Sequence, residues 1–250
     1  KDYRLRGGSG PSEPPLPPLL GEVLVGANSA VDIEVDVEEA ILRAGANDDT
    51  NYGTSEQPLV KYVGLDHDNT RVGVMTFDLN SVKNTLALPG VSRSLTACGL
   101  YLYFTDDAGG IPNNQVQLYP QEQSWVEDEV TWNNRYTSPA AEAWSFNSIL
   151  WDHGRGDLIF LGNSIGDDWY TGPAPAWAVL GDATKGESRN GGLIGHLKAV
   201  LDLDGVWAGP EGICSLQLHR EDFGKNLFWA SAEHSNEDLR PYLKLTFEEV

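Results

Sequence analysis

The sequence predicts an all-β protein, a jelly-roll-like antiparallel β-sandwich with an extended N-terminal arm. Three observations carry this. Val31-Asp32-Ile33-Glu34-Val35-Asp36-Val37-Glu38 puts an apolar side chain at every odd position and a carboxylate at every even one, the period of a strand with one wet face. Similar short runs recur down the chain between Gly, Pro, Asn and Asp clusters, as in sandwiches and barrels. Helical periodicity is weak, with no long amphipathic stretch.

In chain order, residues 1–26 read as the arm. Lys1 to Gly10 holds three Gly and a Ser, and residues 11–18 hold five Pro. Such a segment favours extended polyproline II and lacks the donors a sheet interior needs. Residues 27–250 read as one sandwich domain with an insertion at about 145–190. Besides 31–38, the strand candidates are 40–43, 58–63, 72–77, 95–104, 115–119, 158–161, 195–203, 213–219, 226–230 and 242–247. The stretch 191–203 could also carry a short helical turn. Turn-forming clusters at 45–53, 106–114 and 171–175 separate the runs.

Composition excludes several functions. With 17 Lys plus Arg against 37 Asp plus Glu, the formal charge is −20. That charge repels the phosphates of nucleic acids and the surface of anionic membranes. No apolar run approaches the roughly 20 residues of a spanning helix. The chain begins at Lys1 without Met, which fits removal of a signal segment as well as a trimmed longer chain. Cys98 and Cys214 each sit in an alternating apolar run and are expected to face inward, either as buried thiols or as one disulfide.

Three groups of residues resemble a known family. Asn51-Tyr52-Gly53 follows a Gly/Asn/Asp loop. Val130-Thr131-Trp132-Asn133-Asn134 follows an acidic stretch that begins Ser124-Trp125. Near the C-terminus come Phe228-Trp229-Ala230-Ser231-Ala232-Glu233, Asn236 and Leu239-Arg240-Pro241-Tyr242-Leu243-Lys244-Leu245. In this order, over about residues 36–144 and 195–248, the chain resembles the DNRLRE-domain family, secreted microbial β-sandwich modules related to carbohydrate-binding modules. The arm and the stretch from Ser145 to Asn190 are departures from that family. Read physically, Asn51 and Gly53 suit a loop with left-handed backbone, and Tyr52 a buried plug. Trp125 and Trp132 suit anchors for a loop at a sheet edge. Arg240 is expected to pair with a carboxylate such as Glu233.

The chemical motifs are sparse. Gly162-Asn163-Ser164-Ile165-Gly166 matches G-x-S-x-G, but a nucleophile elbow requires a helix next, and Asp167 to Pro175 does not spell one. It reads as a turn, so no catalytic residue is assigned and the protein is not expected to be an enzyme. His67, His153, His196, His219 and His234 lack zinc-ligand spacing, and His219 continues a strand on its expected outward face. No cofactor is required. A structural Ca²⁺ is conceivable, because paired acids recur in loops that also offer carbonyls; Asp48, Asp49 and Asn51 are the first candidates, set against a plain solvated acidic face. Trp151, Trp169, Tyr170 and Trp177 are dense for a loop region. They could stack on sugar rings, pack as the loop's own small core, or receive a Pro-rich segment.

The functional expectation is a non-enzymatic extracellular or cell-surface structural protein, a homopolymer of head-to-tail subunits in which the arm docks on a neighbouring copy. The interface residues would be Pro14, Pro15, Leu16, Pro17, Pro18, Leu19 and Leu20, with Val23, Leu24 and Val25 adding a strand. Lys1, Arg4 and Arg6 give the arm a basic tip that suits an acidic body. The alternative, which the family resemblance implies, is a carbohydrate-binding or surface-adhesion module with a polysaccharide partner.

Overall fold

In the computed structural model, the described residues are 30–61, 70–86, 92–106, 114–121, 123–144, 166–170, 176–180, 192–201, 212–220 and 226–249. The alternating runs become strands: β1 (Val31–Asp36), β2 (Glu38–Arg43), β3 (Leu59–Lys61), β4 (Arg71–Asp78), β5 (Arg93–Asp106), β6 (Asn114–Pro120), β11 (Ile213–Arg220), β12 (Asn226–Trp229) and β13 (Tyr242–Glu249). Four shorter strands join them: β7 (Asn134–Tyr136), β8 (Glu142–Ala143), β9 (Gly166–Tyr170) and β10 (Ala176–Leu180). Two short helices are present, α1 (Asn80–Leu86) and α2 (Gly192–Val200).

Eleven strands form one curled antiparallel sheet in the order β1-β13-β5-β12-β3-β4-β11-β6-β9, with β10 also on β5 and β2 also on β4. The sheet folds over a common core. Val35, Leu100, Leu102, Leu243 and Phe247 from one end of the path pack in one cluster with Met75, Phe77, Leu118, Cys214 and Leu216 from the other. This is the all-β sandwich that the period-two runs predict. Cys98 and Cys214 face that core as free thiols, and burial raises the Cys214 thiol far above its ordinary value.

The structure corrects some of these expectations and refines others. The 195–203 stretch is not a strand: residues 192–200 form α2, and Leu193, Leu197, Val200 and Leu201 bury a face with helical spacing against the core. His219 does lie on the outer side of β11, but it is 4% exposed because that side is covered. Arg240 does engage carboxylates: it forms an ion pair with Glu237 at 3.6 Å, its charge also opposes the rise that burial causes in the Glu233 pKa, and its Nε donates to the His234 carbonyl at 2.9 Å. The short 3-10 turn Glu237–Leu239 brings Glu237 within reach. The stretch read as an insertion supplies two sheet strands, β9 beside β6 and β10 beside β5. Residues 1–26 lie outside the described residues.

The outer side of β2 and β4 is capped. Ala40, Leu42, Val72 and Val74 form a second buried cluster with Val130, flanked by Trp125, Trp132 and Trp144. The three indoles therefore anchor segment 123–144 over a sheet face, not at a sheet edge. The segment is tied down at several points. The Asn51 amide donates to the carbonyls of Glu127 (2.6 Å) and Val130 (2.8 Å), and its own oxygen accepts from Gly53 N. Asn133 donates to Asp49, and Trp144 Nε1 donates to the Thr131 carbonyl. Gly53 is needed here for close approach: a Cβ would sit 2.3 Å from the Glu127 carbonyl oxygen. The glycines with positive φ among the described residues are Gly45 and Gly212, so the left-handed role expected at Gly53 belongs to Gly45 in the same loop. Tyr52 packs against the core but is half-buried, not the fully buried plug expected.

Candidate functional site

The layer β1-β13-β5-β10 presents an outer face of a different character. On β5, Leu100, Leu102 and Phe104 point into the core, so Tyr101 and Tyr103 between them point out. On β13, Leu243, Leu245 and Phe247 point in, leaving Tyr242, Lys244 and Thr246 outside. The register sets Tyr242 opposite Tyr101, and Trp177 of β10 opposite Tyr103. Four aromatic side chains thus meet across three strands.

Their geometry is well defined. Tyr101 and Tyr242 stack with centroids 4.7 Å apart and planes 8° from parallel. Trp177 meets Tyr103 edge-on at 5.4 Å and Tyr242 at 5.8 Å. Trp177 remains 39% exposed. Such contacts fix ring orientation before any ligand arrives. Gly99 helps to level the platform: a Cβ there would lie 2.6 Å from Val179 Cγ1, so the bare backbone lets β10 settle onto β5.

Polar groups border the rings. Lys244 Nζ lies 2.7 Å from Asp32 Oδ2, and the Thr246 hydroxyl donates to Asp32 Oδ1 at 2.7 Å. These bonds hold the Asp32 carboxyl below its ordinary range, while Asp32 raises the Lys244 ammonium. Both groups stay charged at neutral pH and remain accessible to hydroxyls. An apolar ring platform edged by a few oriented donors and acceptors is the usual composition of a small-molecule binding surface. Of its rings Trp177 is the most exposed, and Tyr101 and Tyr242 turn one face towards each other.

The most perturbed carboxylates lie elsewhere. Glu39 is 2% exposed; its oxygens accept from Trp229 Nε1 at 2.8 Å and from Ala232 N at 3.1 Å. Burial pushes its pKa up to about 8. The Glu127 carboxylate accepts from Glu39 N at 3.1 Å and is pushed up to about 7, again mainly by burial, with Glu233 adding repulsion. Two proximal carboxylates with raised pKa could suggest acid–base catalysis. Here the Glu39 carboxyl is sealed in the core and ties β2 to Trp229 and Ala232, while the Glu127 carboxyl ties the capping segment to the β2 backbone.

Residues 35–151 match the model of carbohydrate-binding module family 96. The match spans just under half of the chain, from the end of β1 past β8, and includes Tyr101 and Tyr103; Trp177 and Tyr242 lie beyond it. No curated protein matches the chain. The match agrees with the sequence resemblance at its coarser level, a β-sandwich related to carbohydrate-binding modules.

Of the aromatic residues singled out in the sequence, Trp177 lies on the platform. Trp169 and Tyr170 are in β9, which pairs with β6 and not with β5; their side chains and all of Trp151 lie outside the described residues. Tyr101, Tyr103 and Tyr242 were missed. The signal was available, since tyrosines occupy two successive wet-side positions of β5. Asp48, Asp49 and Asn51 lie in the loop after β2, where the Asn51 side chain is committed to backbone groups and Asp49 to Asn133. Among the described residues no cluster of three or more His, Cys, Asp or Glu side chains is placed to hold a metal ion. Ser164 lies outside the described residues, but the residues that follow, 166–170, form strand β9 where an elbow would need a helix. Pro14 to Leu20 and Val23 to Val25 also lie outside.

Proposed function

We propose that this chain is a non-catalytic carbohydrate-binding module that takes a polysaccharide on the face built by Tyr101, Tyr103, Trp177 and Tyr242. The observation that carries the reading is the pre-arranged aromatic platform, open to solvent and bordered by Lys244, Asp32 and Thr246. The match of residues 35–151 to a carbohydrate-binding family supports it independently. An open face suits a polymer chain better than a free monosaccharide, because successive sugar rings can each rest on an aromatic side chain. The reading needs no cofactor and puts the protein outside the cell or on its surface, where polysaccharides are met. No helix among the described residues is long and apolar enough to cross a membrane.

The head-to-tail polymer rests on residues 1–26, and no observation on the described residues favours it over glycan binding. The test is a polysaccharide and glycan-array screen followed by calorimetry on the best ligand. Trp177→Ala is expected to weaken binding at least about 10-fold, the scale of one lost aromatic anchor, with the fold intact by circular dichroism. Retention of no polysaccharide, or full affinity in Trp177→Ala and Tyr242→Ala, would sink the proposal.

A further inference from the structure

A second place in the molecule has the makings of a binding site, at the end of the core where β2 and β4 close. A small, half-open cleft lies there, lined by Arg43, Arg71, Tyr52, Ser55 and Gln57 over an apolar floor at Ile41. Arg43 and Arg71 are register partners across β2 and β4, so the two guanidinium groups lie side by side. In a chain with 37 acidic and 17 basic residues, arginines should find carboxylates easily. Arg135 pairs with Glu142, and Arg240 with Glu237. Among the described residues, Arg43 and Arg71 have no such partner and no acidic side chain lines the cleft. Among the same residues, the one hydrogen bond of either guanidinium runs from Arg43 Nη1 to the Tyr52 hydroxyl at 3.5 Å. The Nε atoms of both are buried and unmatched.

Burial and the neighbouring Arg43 charge both lower the Arg71 pKa. Two adjacent half-buried cations without a counter-charge oppose folding unless something offsets them. The rest of the lining is mixed: the Tyr52 and Ser55 hydroxyls and the Gln57 amide can donate to oxygen, and Pro58 and Leu59 extend the apolar wall.

We propose that this cleft binds a dianionic oxyanion, a phosphate or sulfate group, through the paired forks of Arg43 and Arg71. Two positive charges match a tetrahedral dianion better than a single carboxylate. Guanidinium forks also bind such oxygens in pairs, with directionality that an ammonium lacks. Tyr52, already touching Arg43, supplies a hydroxyl to a third oxygen. The site goes beyond the glycan reading and is independent of it: it uses none of the platform residues.

The test is thermal unfolding of the full chain in low-millimolar phosphate or sulfate, with chloride matching the ionic strength. A ligand that binds only the folded state raises Tm as its concentration passes Kd. A saturable rise of about 3 °C at roughly 5 mM is expected for a chain of this size. Acetate and glucuronate at the same concentrations should give less than half of that rise. Arg43→Gln and Arg71→Gln should each abolish the rise while matching or exceeding the wild-type Tm in chloride alone, because each relieves the repulsion. Should either variant fail to fold, Tyr52→Phe is expected to keep a reduced rise. A rise equal in wild type and variants would be a general salt effect and would overturn the site. So would equal Tm values in chloride and phosphate, and an equal response to acetate would overturn the dianion. Glycan affinity should not change in any of these variants, so either proposal can fail without the other.

Discussion

The two outer faces of the sandwich are both rich in aromatic side chains and use them in opposite ways. Over β2 and β4, Trp125, Trp132 and Trp144 belong to a separate segment and lie against Ala40, Leu42, Val72 and Val74, closing that face. Over β5, β10 and β13, Tyr101, Tyr103, Tyr242 and Trp177 belong to the strands themselves, Tyr101 stacking on Tyr242 and Trp177 meeting Tyr103 and Tyr242 edge-on, and no lid segment among the described residues closes over them. The difference follows from the layer beneath. Where the outward positions of the strands are aliphatic, burial of apolar area draws in a lid. Where they are Tyr, Lys, Thr and Asp, hydroxyls and charges remain wet and no lid is called for. Aromatic content alone does not mark a binding face; the parity and the partners of each ring do.

The largest effect should come from disturbing the closed face. Leu42 has no exposed surface and lies under the lid. Leu42→Ala is expected to cost about 2–5 kcal/mol in urea unfolding, while the fraction that stays folded should bind glycan with unchanged affinity. A loss of affinity in a folded Leu42→Ala sample would mean that the two faces are coupled, and the contrast between them would fail.

The next effect concerns two carboxylates, Glu39 beneath the lid and Glu127 within it. Burial raises their folded pKa values to about 8 and about 7, against an ordinary 4.5. The folded state therefore holds its protons more tightly than the unfolded chain. Below the unfolded pKa both states are protonated and the contribution is fully present. As pH rises from about 4.5 towards 8 the unfolded chain releases protons that the folded one retains, and stability falls, at most by about 1.4 kcal/mol per pH unit for Glu39. Urea midpoints across pH 5 to 8 should decline in wild type, and the decline should be shallower in Glu39→Gln. A midpoint that rises with pH in wild type and not in the variant would reverse the assignment.

Much of the sandwich was legible in the sequence because β-strand burial has a period of two, and runs such as 31–38, 72–77 and 213–219 display it directly. What escaped needed information from outside the run. The stretch 195–203 is a short apolar run that fits either secondary structure, and α2 is decided by packing on the core. The parity of His219 was read correctly, but the cover over that side of the sheet is distant in sequence. Glu39 looks like one more wet carboxylate until Trp229, 190 residues later, donates its indole N–H to it. The face proposed for binding escaped for a similar reason: Trp177 stood out by local density, whereas Tyr101 and Tyr242 become a stacked pair only through the β5–β13 register.

The smallest effect on stability should come from the open face, and it gives the sharpest view of the contrast. Lys244 and Asp32 form a close ion pair, but the Lys244 and Asp32 side chains retain 31% and 49% exposure. Exposed pairs of this kind contribute about 0–1 kcal/mol. What the pair contributes is present above the ordinary carboxylate pKa and is lost as pH falls through the lowered pKa of Asp32. Lys244→Met keeps the aliphatic stem and removes only the charge. Its unfolding midpoint near neutral pH should shift by less than about 0.5 kcal/mol, while calorimetry should show glycan affinity reduced a few-fold, as expected for a charged group at the rim of an aromatic anchor. A variant that loses stability and keeps affinity would turn the pair into a strand clamp. The open face would then owe its binding to the rings alone.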